Sequence, residues 1–161
     1  MKPVIHLTNL ILKSWKQGEH YEGSNASFGK DIGLKNLGIR YNEVPAGKTN
    51  CPFHNHHNVD ELFYILEGKG SYRFGADEYP VEAGDVLSAP AGGQETAHQI
   101  INTGTETLRY LSMSANAPTD LVEYPDSGKF QYMSTKSDEK PFRFIGRMDS
   151  QTDYWDGEPG A

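Results

Sequence analysis

The sequence predicts an all-β fold, a sandwich or barrel of short strands, on two observations. Runs of strand length, alternating or continuously apolar, recur from Leu34 onward, each closed by a turn-rich segment. Glycine (17) and proline (9) are plentiful and fall at short intervals, which favours turns over long helices. With 161 residues, 36% hydrophobic and 11% aromatic, the chain suits one domain, 1–161, large enough to bury a core.

Each element follows in order. Residues 1–33 are mixed and grow rich in Gly, Ser and Asn (EGSNASFGKDIG), so we expect a short helix or strand and then loop. In LKNLGIRYNEV, Leu37, Ile39 and Tyr41 alternate with Gly38, Arg40 and Asn42, the period of a strand. ELFYILEG, GSYRFG, DVLSAP, HQIIN and LRYLSMS are further strand runs, separated by EGKG, FGADEYP, EAGD, PAGGQET and NTGTE. These runs define a barrel core of about 34–116. Beyond it lie a turn (YPDSGK), a short strand (FRFIG) and an acidic tail. In that tail Tyr154 and Trp155 are expected either to stay solvated or to strap across the domain or a partner.

Charge narrows the function. The net charge is -7, and Lys and Arg are scattered without a basic patch, which argues against nucleic acid and anionic membrane as partners. A lone cysteine, Cys51, forms no internal disulfide and fits a reducing, cytoplasmic setting. The N-terminal MKPVIHLTNLILKSW is interrupted by polar residues and reads poorly as a signal peptide or a membrane span.

The stretch FHNHHNVDELFYILEG concentrates the chemistry. His54 and His56 are two apart, and on a strand both imidazoles point to one side. Glu61 opens the next strand and shares its face with Phe63 and Ile65, a face expected to point inward. A buried carboxylate needs a compensating charge, and neutral imidazoles supply none; a divalent metal does. His98 opens HQIIN and shares an inward face with Ile100. Three imidazoles and one carboxylate suit Mn, Fe, Co, Ni or Zn, with positions left for water or substrate. Histidines at such positions also serve as hydrogen-bonded core residues, but the combination of HxH, Glu and a distant strand-opening His is more demanding of a metal. Alternation turns His57 away from the other two, leaving it a surface residue, an orienting group or a proton carrier near the mouth.

These residues resemble the two motifs of the cupin superfamily. The first reads G-KTNCPF-HNH-HNVD-E-LFYILE-G from Gly47 to Gly68, with six residues after Gly47 where the family usually has five. The second reads G-DVLSA-PAG-GQETA-H-QII-N from Gly84 to Asn102, with five residues between Gly92 and His98 where two is common. The resemblance implies a double-stranded β-helix, or jelly-roll barrel, with short N- and C-terminal extensions. It implies one divalent metal ion inside, held by His54, His56, Glu61 and His98, and turns at Gly68, Gly84 and Pro90. PAGGQETAHQIIN and YPDSGK are similar to small bacterial cupins commonly called sugar-phosphate isomerases, although the threonine-proline signature of cupin-type phosphoglucose isomerases is absent.

Three functions follow as expectations. The first is aldose–ketose isomerisation of a sugar or sugar phosphate, with Tyr41, Tyr64, Tyr72 or His57 as base and Lys48, Arg73 or Arg109 near a phosphate. The second is a metal-dependent dioxygenase, decarboxylase or lyase acting on a small organic substrate. The third is a non-catalytic ligand-binding cupin. Tyr41, Phe63, Ile65 and Ile100 are the expected substrate-binding residues, and the last three make the pocket around the ion fairly apolar. The partner is a small molecule, and uncovered strand edges favour a homodimer.

Overall fold

The computed structural model describes residues 2–135 and 142–160. Its strands are β1 (Lys13–Gln17), β2 (Tyr21–Ser27), β3 (Leu37–Val44), β4 (Asn55–His56), β5 (Glu61–Glu67), β6 (Lys69–Phe74), β7 (Asp77–Glu82), β8 (Val86–Ala89), β9 (His98–Ile101), β10 (Leu108–Ala115), β11 (Thr119–Tyr124), β12 (Lys129–Ser134) and β13 (Phe142–Arg147). Helix among the described residues is limited to single 3-10 turns, so none is long and apolar enough to cross a membrane.

The strands form two walls. One is a six-stranded sheet in the order β1-β2-β3-β10-β5-β8. The other combines β7-β6-β9 with β13-β12-β11-β4. Paired backbone hydrogen bonds between His54 and His98 (3.2 and 2.7 Å) join these last two groups, and a bridge between Thr49 and Ile101 extends the seam.

The core follows from alternation. Inward residues Val44, Phe63, Ile65, Leu87, Leu108 and Tyr110 of the six-stranded wall pack on Tyr72, Val81 and Ile100 of the other. On β5 the outward residues Leu62 and Tyr64 stay 38% exposed while Phe63 and Ile65 are buried. Gly68 ends β5 at φ 89, and a Cβ there would stand 2.9 Å from the Thr107 carbonyl oxygen, so only glycine fits the turn. Asn102 closes the same end. Its amide donates to the Val44 and Glu106 carbonyls, and its Oδ1 accepts from the Gly104 N–H.

β3 departs from its apolar pattern. Asn42 and Val44 are buried inward and Arg40, on the same parity, is exposed at the cavity mouth; the three are registered against Tyr110, Leu108 and Ser112 of β10. Tyr41 faces outward: its hydroxyl donates to Glu43, and it borders a cavity with Leu7, Leu10, Leu66 and Arg109. Tyr41 therefore does not line the barrel interior where a substrate-binding role had been expected. Residues 6–12 of the N-terminal segment lie beside Tyr41 on the outside of β3, so this aromatic residue marks the exterior, while Leu37 and Ile39 border the cavity that reaches Glu61. At the other terminus Tyr154 (80% exposed) and Trp155 (61%) meet each other edge to face and do not strap across the barrel.

Candidate metal centre

Both walls contribute to the site. His56 lies on β4, His54 sits just before it, and His98 opens the adjacent β9 as the backbone partner of His54. Glu61 opens β5 on the opposite wall and projects between them. Its Oε2 lies 3.1 Å from His98 Nε2, 3.4 Å from His56 Nε2 and 3.8 Å from His54 Nε2. His54, Glu61 and His98 bring their ligand atoms within 4.8 Å of one another. His56 meets the same carboxylate oxygen from the side, outside that tightest trio.

Each imidazole is locked in one orientation. His54 Nδ1 donates to the Pro52 carbonyl at 2.8 Å, and His98 Nδ1 donates to the Thr96 carbonyl at 3.2 Å. His56 Nδ1 donates to Asp120, a buried carboxylate on β11 that also accepts from the Asn58 N–H. A carbonyl or carboxylate cannot donate, so all three Nδ1 atoms carry hydrogen and the Nε2 atoms are left to face Glu61. Three neutral nitrogen lone pairs turned toward a carboxylate repel one another unless a cation stands between them. The donor set therefore fits a divalent metal of the nitrogen- and oxygen-binding kind.

Burial acts in the same direction. It holds the His54 imidazole down to about 4, with help from the neighbouring His98 and His56, so His54 is a neutral donor at physiological pH. Burial alone would lower His56 too, but the hydrogen bond to Asp120 and the charge of Glu61 outweigh it and the net direction is upward. For Glu61, burial favours the neutral acid, yet the close contact with His98 Nε2 and the nearby imidazoles keep it below the usual carboxylate range.

The loop insertions have a purpose in this geometry. The longer gap before His98 forms a 3-10 turn, Gln94–Thr96, and Thr96 supplies the carbonyl that orients that histidine. Pro52, within the lengthened segment after Gly47, does the same for His54. Asp120 was not legible in sequence, because its strand lies 64 residues from His56 and carries no motif.

The remaining expected residues divide. His57 turns outward and pairs with Glu123 at 3.2 Å. Phe63 packs near His98, with ring centroids 5.5 Å apart and planes tilted by 52°, whereas Ile65 and Ile100 lie in the packed core. Tyr72 donates to the Ser88 carbonyl, and Tyr64 faces outward. Lys48 donates to the Glu19 carbonyl, Arg73 clasps Asp126, and Arg109 bridges Glu43 and Glu67. None of these three cations lines the cavity that reaches Glu61.

That cavity has a volume of 510 Å³ and is bordered by Ser27, Lys30, Arg40, Ser112, Ser114 and Asn116, among others. The interior is graded along the strands. Its closed end is apolar (Val44, Leu108, Ile65), and its mouth is polar (Arg40, Ser112, Ser114, Glu61). An apolar pocket was expected from Phe63, Ile65 and Ile100; the polar residues come instead from β3 and β10.

Residues 41–114 match the cupin domain family, and the chain has the cupin fold. The structure of a "putative sugar phosphate isomerase" from Acidithiobacillus ferrooxidans is 27% identical, covers 94% of this chain and 96% of its own, and superposes with a TM-score of 0.79. A cupin-superfamily sugar phosphate isomerase structure from Silicibacter pomeroyi, 20% identical, covers 96% and 98% with a TM-score of 0.78 and bears on the fold alone. An oxalate-binding protein of Thermotoga maritima is 32% identical over 71 residues, 44% of this chain and 55% of that protein.

Proposed function

We propose, for this cupin-fold chain, that His54, His56, Glu61 and His98 hold one divalent transition metal and that the site isomerises a sugar or sugar phosphate. One observation carries the reading: three Nδ1-anchored imidazoles turn their Nε2 atoms on a single oxygen of Glu61. When bound, the metal (Mn, Fe, Co, Ni or Zn) would polarise the carbonyl and adjacent hydroxyl of an open-chain sugar. The chain supplies the rest. Asp120 holds His56 in the ligating tautomer, as carboxylates do behind metal-bound histidines. Glu61 Oε2 takes the imidazole contacts, which commits this carboxylate to the ion. Phe63 and Tyr72, packed beside His98, shield the inner side of the site from water.

Likeness over nearly the whole of the Acidithiobacillus structure supports the isomerase reading. The experiment is elemental analysis of purified protein, followed by turnover of fructose 6-phosphate and mannose 6-phosphate with and without chelator. Close to one metal per chain and activity lost on chelation are expected. Protein that takes up no metal on titration overturns the site. A second reading, decarboxylase, dioxygenase or lyase chemistry on a small acid, is favoured by the 71-residue match to the oxalate-binding protein. Oxygen consumption or decarboxylation by metal-loaded protein, with no sugar turnover, selects it. Binding that stabilises the fold without any turnover selects a ligand-binding cupin. The exposed outer face of the six-stranded sheet, with Leu62, Tyr64 and Val86, supports a homodimer.

A further inference from the structure

We propose that the cavity mouth is an anion-binding subsite, in which Arg40, aided by Lys30 and the hydroxyls of Ser27, Ser112 and Ser114, receives the phosphate or carboxylate of a small acid whose other end reaches Glu61. The inference rests on the metal reading of the same cavity and names the class of substrate it takes.

Arg40 is an exposed cation at the rim of the barrel. It shares the inward face of β3 with Asn42 and Val44, and it borders the 510 Å³ cavity together with Glu61. In a chain of net charge -7, Arg73 is neutralised by Asp126 at 2.7 and 2.8 Å and Arg109 by Glu43 and Glu67, whereas Arg143 and Arg147 donate to the Gln131 side-chain oxygen and the Ser127 carbonyl away from this cavity. Arg40, among the described residues, donates to the Ser27 hydroxyl at 3.1 Å and pairs with no carboxylate. A neutral acceptor holds the guanidinium in place without cancelling its charge, which keeps its planar donor fork available for an anion. Lys30 on the β2–β3 connection adds a second cation to the rim. Asp31 is the opposing charge there once Glu61 is committed to the metal.

The spacing sets the ligand size. Arg40 is registered on Ser112, and Ser112 on Phe63 of the strand that begins with Glu61. Two strand spacings across the sheet and a two-residue offset along β5 thus put about 12 Å between the backbones that carry the anion receptor and the metal carboxylate. A molecule of a few carbons fills that gap once both side chains reach inward. Gly38 keeps the space open, since a Cβ there would stand 3.0 Å from Ser114 Oγ.

The test uses metal-loaded full-length protein and three probes on one scaffold: glucose 6-phosphate, glucuronate and glucose. Calorimetry should show an anionic probe binding more tightly than glucose, and the better of the two identifies phosphate or carboxylate as the group received. R40Q should weaken the anionic probe roughly tenfold to a hundredfold while leaving glucose binding unchanged. Metal content, measured on the same samples, should stay at the wild-type level, because Arg40 touches no proposed ligand. Glucose binding as tightly as both acids, failure of both acids to bind, or R40Q binding them like wild type overturns the proposal. Loss of metal uptake in wild-type protein would instead overturn the metal reading, and the response to R40Q still reports on the anion site.

Discussion

At the scale of single residues, the site depends on how each imidazole is held as much as on which residues are present. Asp120 is the clearest case, since it fixes His56 from behind and contributes no ligand of its own. D120N removes the negative charge but retains a hydrogen-bond acceptor, and we expect metal affinity to fall roughly tenfold to a hundredfold with the fold intact. Competition with a chromogenic chelator measures this. A wild-type affinity in D120N would mean that His56 is not a ligand. The same residues give the metal-free protein a defined pH dependence. His56 is raised above its ordinary 6.5, so the stability it contributes is present below about 6.5 and is lost as pH rises through its elevated value. His54 is lowered to about 4, so between 6.5 and 4 the unfolded chain binds a proton that the folded chain does not, and stability falls as pH drops. Thermal unfolding in chelator should therefore show greatest stability near 6.5, and H54A should lose the decline between 6.5 and 4.

At the scale of elements, the turns and the strand parity explain what was legible in the sequence. Gly68 joins β5 to β6 at a positive φ, with the Thr107 carbonyl where a Cβ would be. G68A should destabilise the protein by about 1–3 kcal/mol, read as a lower melting temperature, with little change in metal stoichiometry. Glycines at such turns, and histidines at fixed spacing, are local features, so both cupin motifs and the residues proposed to hold the metal stand out in the sequence. Apolar alternation on β5 and β9 was equally informative, because Phe63, Ile65 and Ile100 do face inward. The same rule failed on β3. There the interior opens into a polar mouth while the N-terminal segment lies beside Tyr41 on the outside, so Tyr41 points out and Arg40 borders the mouth. Alternation reports a parity but not which face is enclosed, and a polar cavity reverses the usual sign. Asp120 was hidden for a different reason: it reaches His56 through pairing of β11 with β4, a long-range contact that no local pattern encodes.

At the scale of the whole molecule, the metal would be a cross-link. His54, His56 and His98 belong to one wall of the barrel and Glu61 to the other, so a bound ion ties together two sheets otherwise joined across the core by apolar packing. Neutral lone pairs and a carboxylate crowded without a cation oppose that closure. Metal binding should therefore act as folding free energy, by mass action on a native state that alone has the assembled site. At a free metal concentration one hundred times Kd, the gain is about 2.7 kcal/mol, which for a chain of 161 residues raises the melting temperature by roughly 5–10 °C. Calorimetric scans of chelated and reloaded protein measure the difference. In H98A the metal-dependent part should vanish, because that residue makes the shortest imidazole approach to Glu61, at 3.1 Å. R40Q should keep it, since Arg40 lies at the mouth and joins neither sheet to the other through the ion. An equal metal-dependent shift in wild type and H98A would show that the metal stabilises the chain from somewhere other than this barrel.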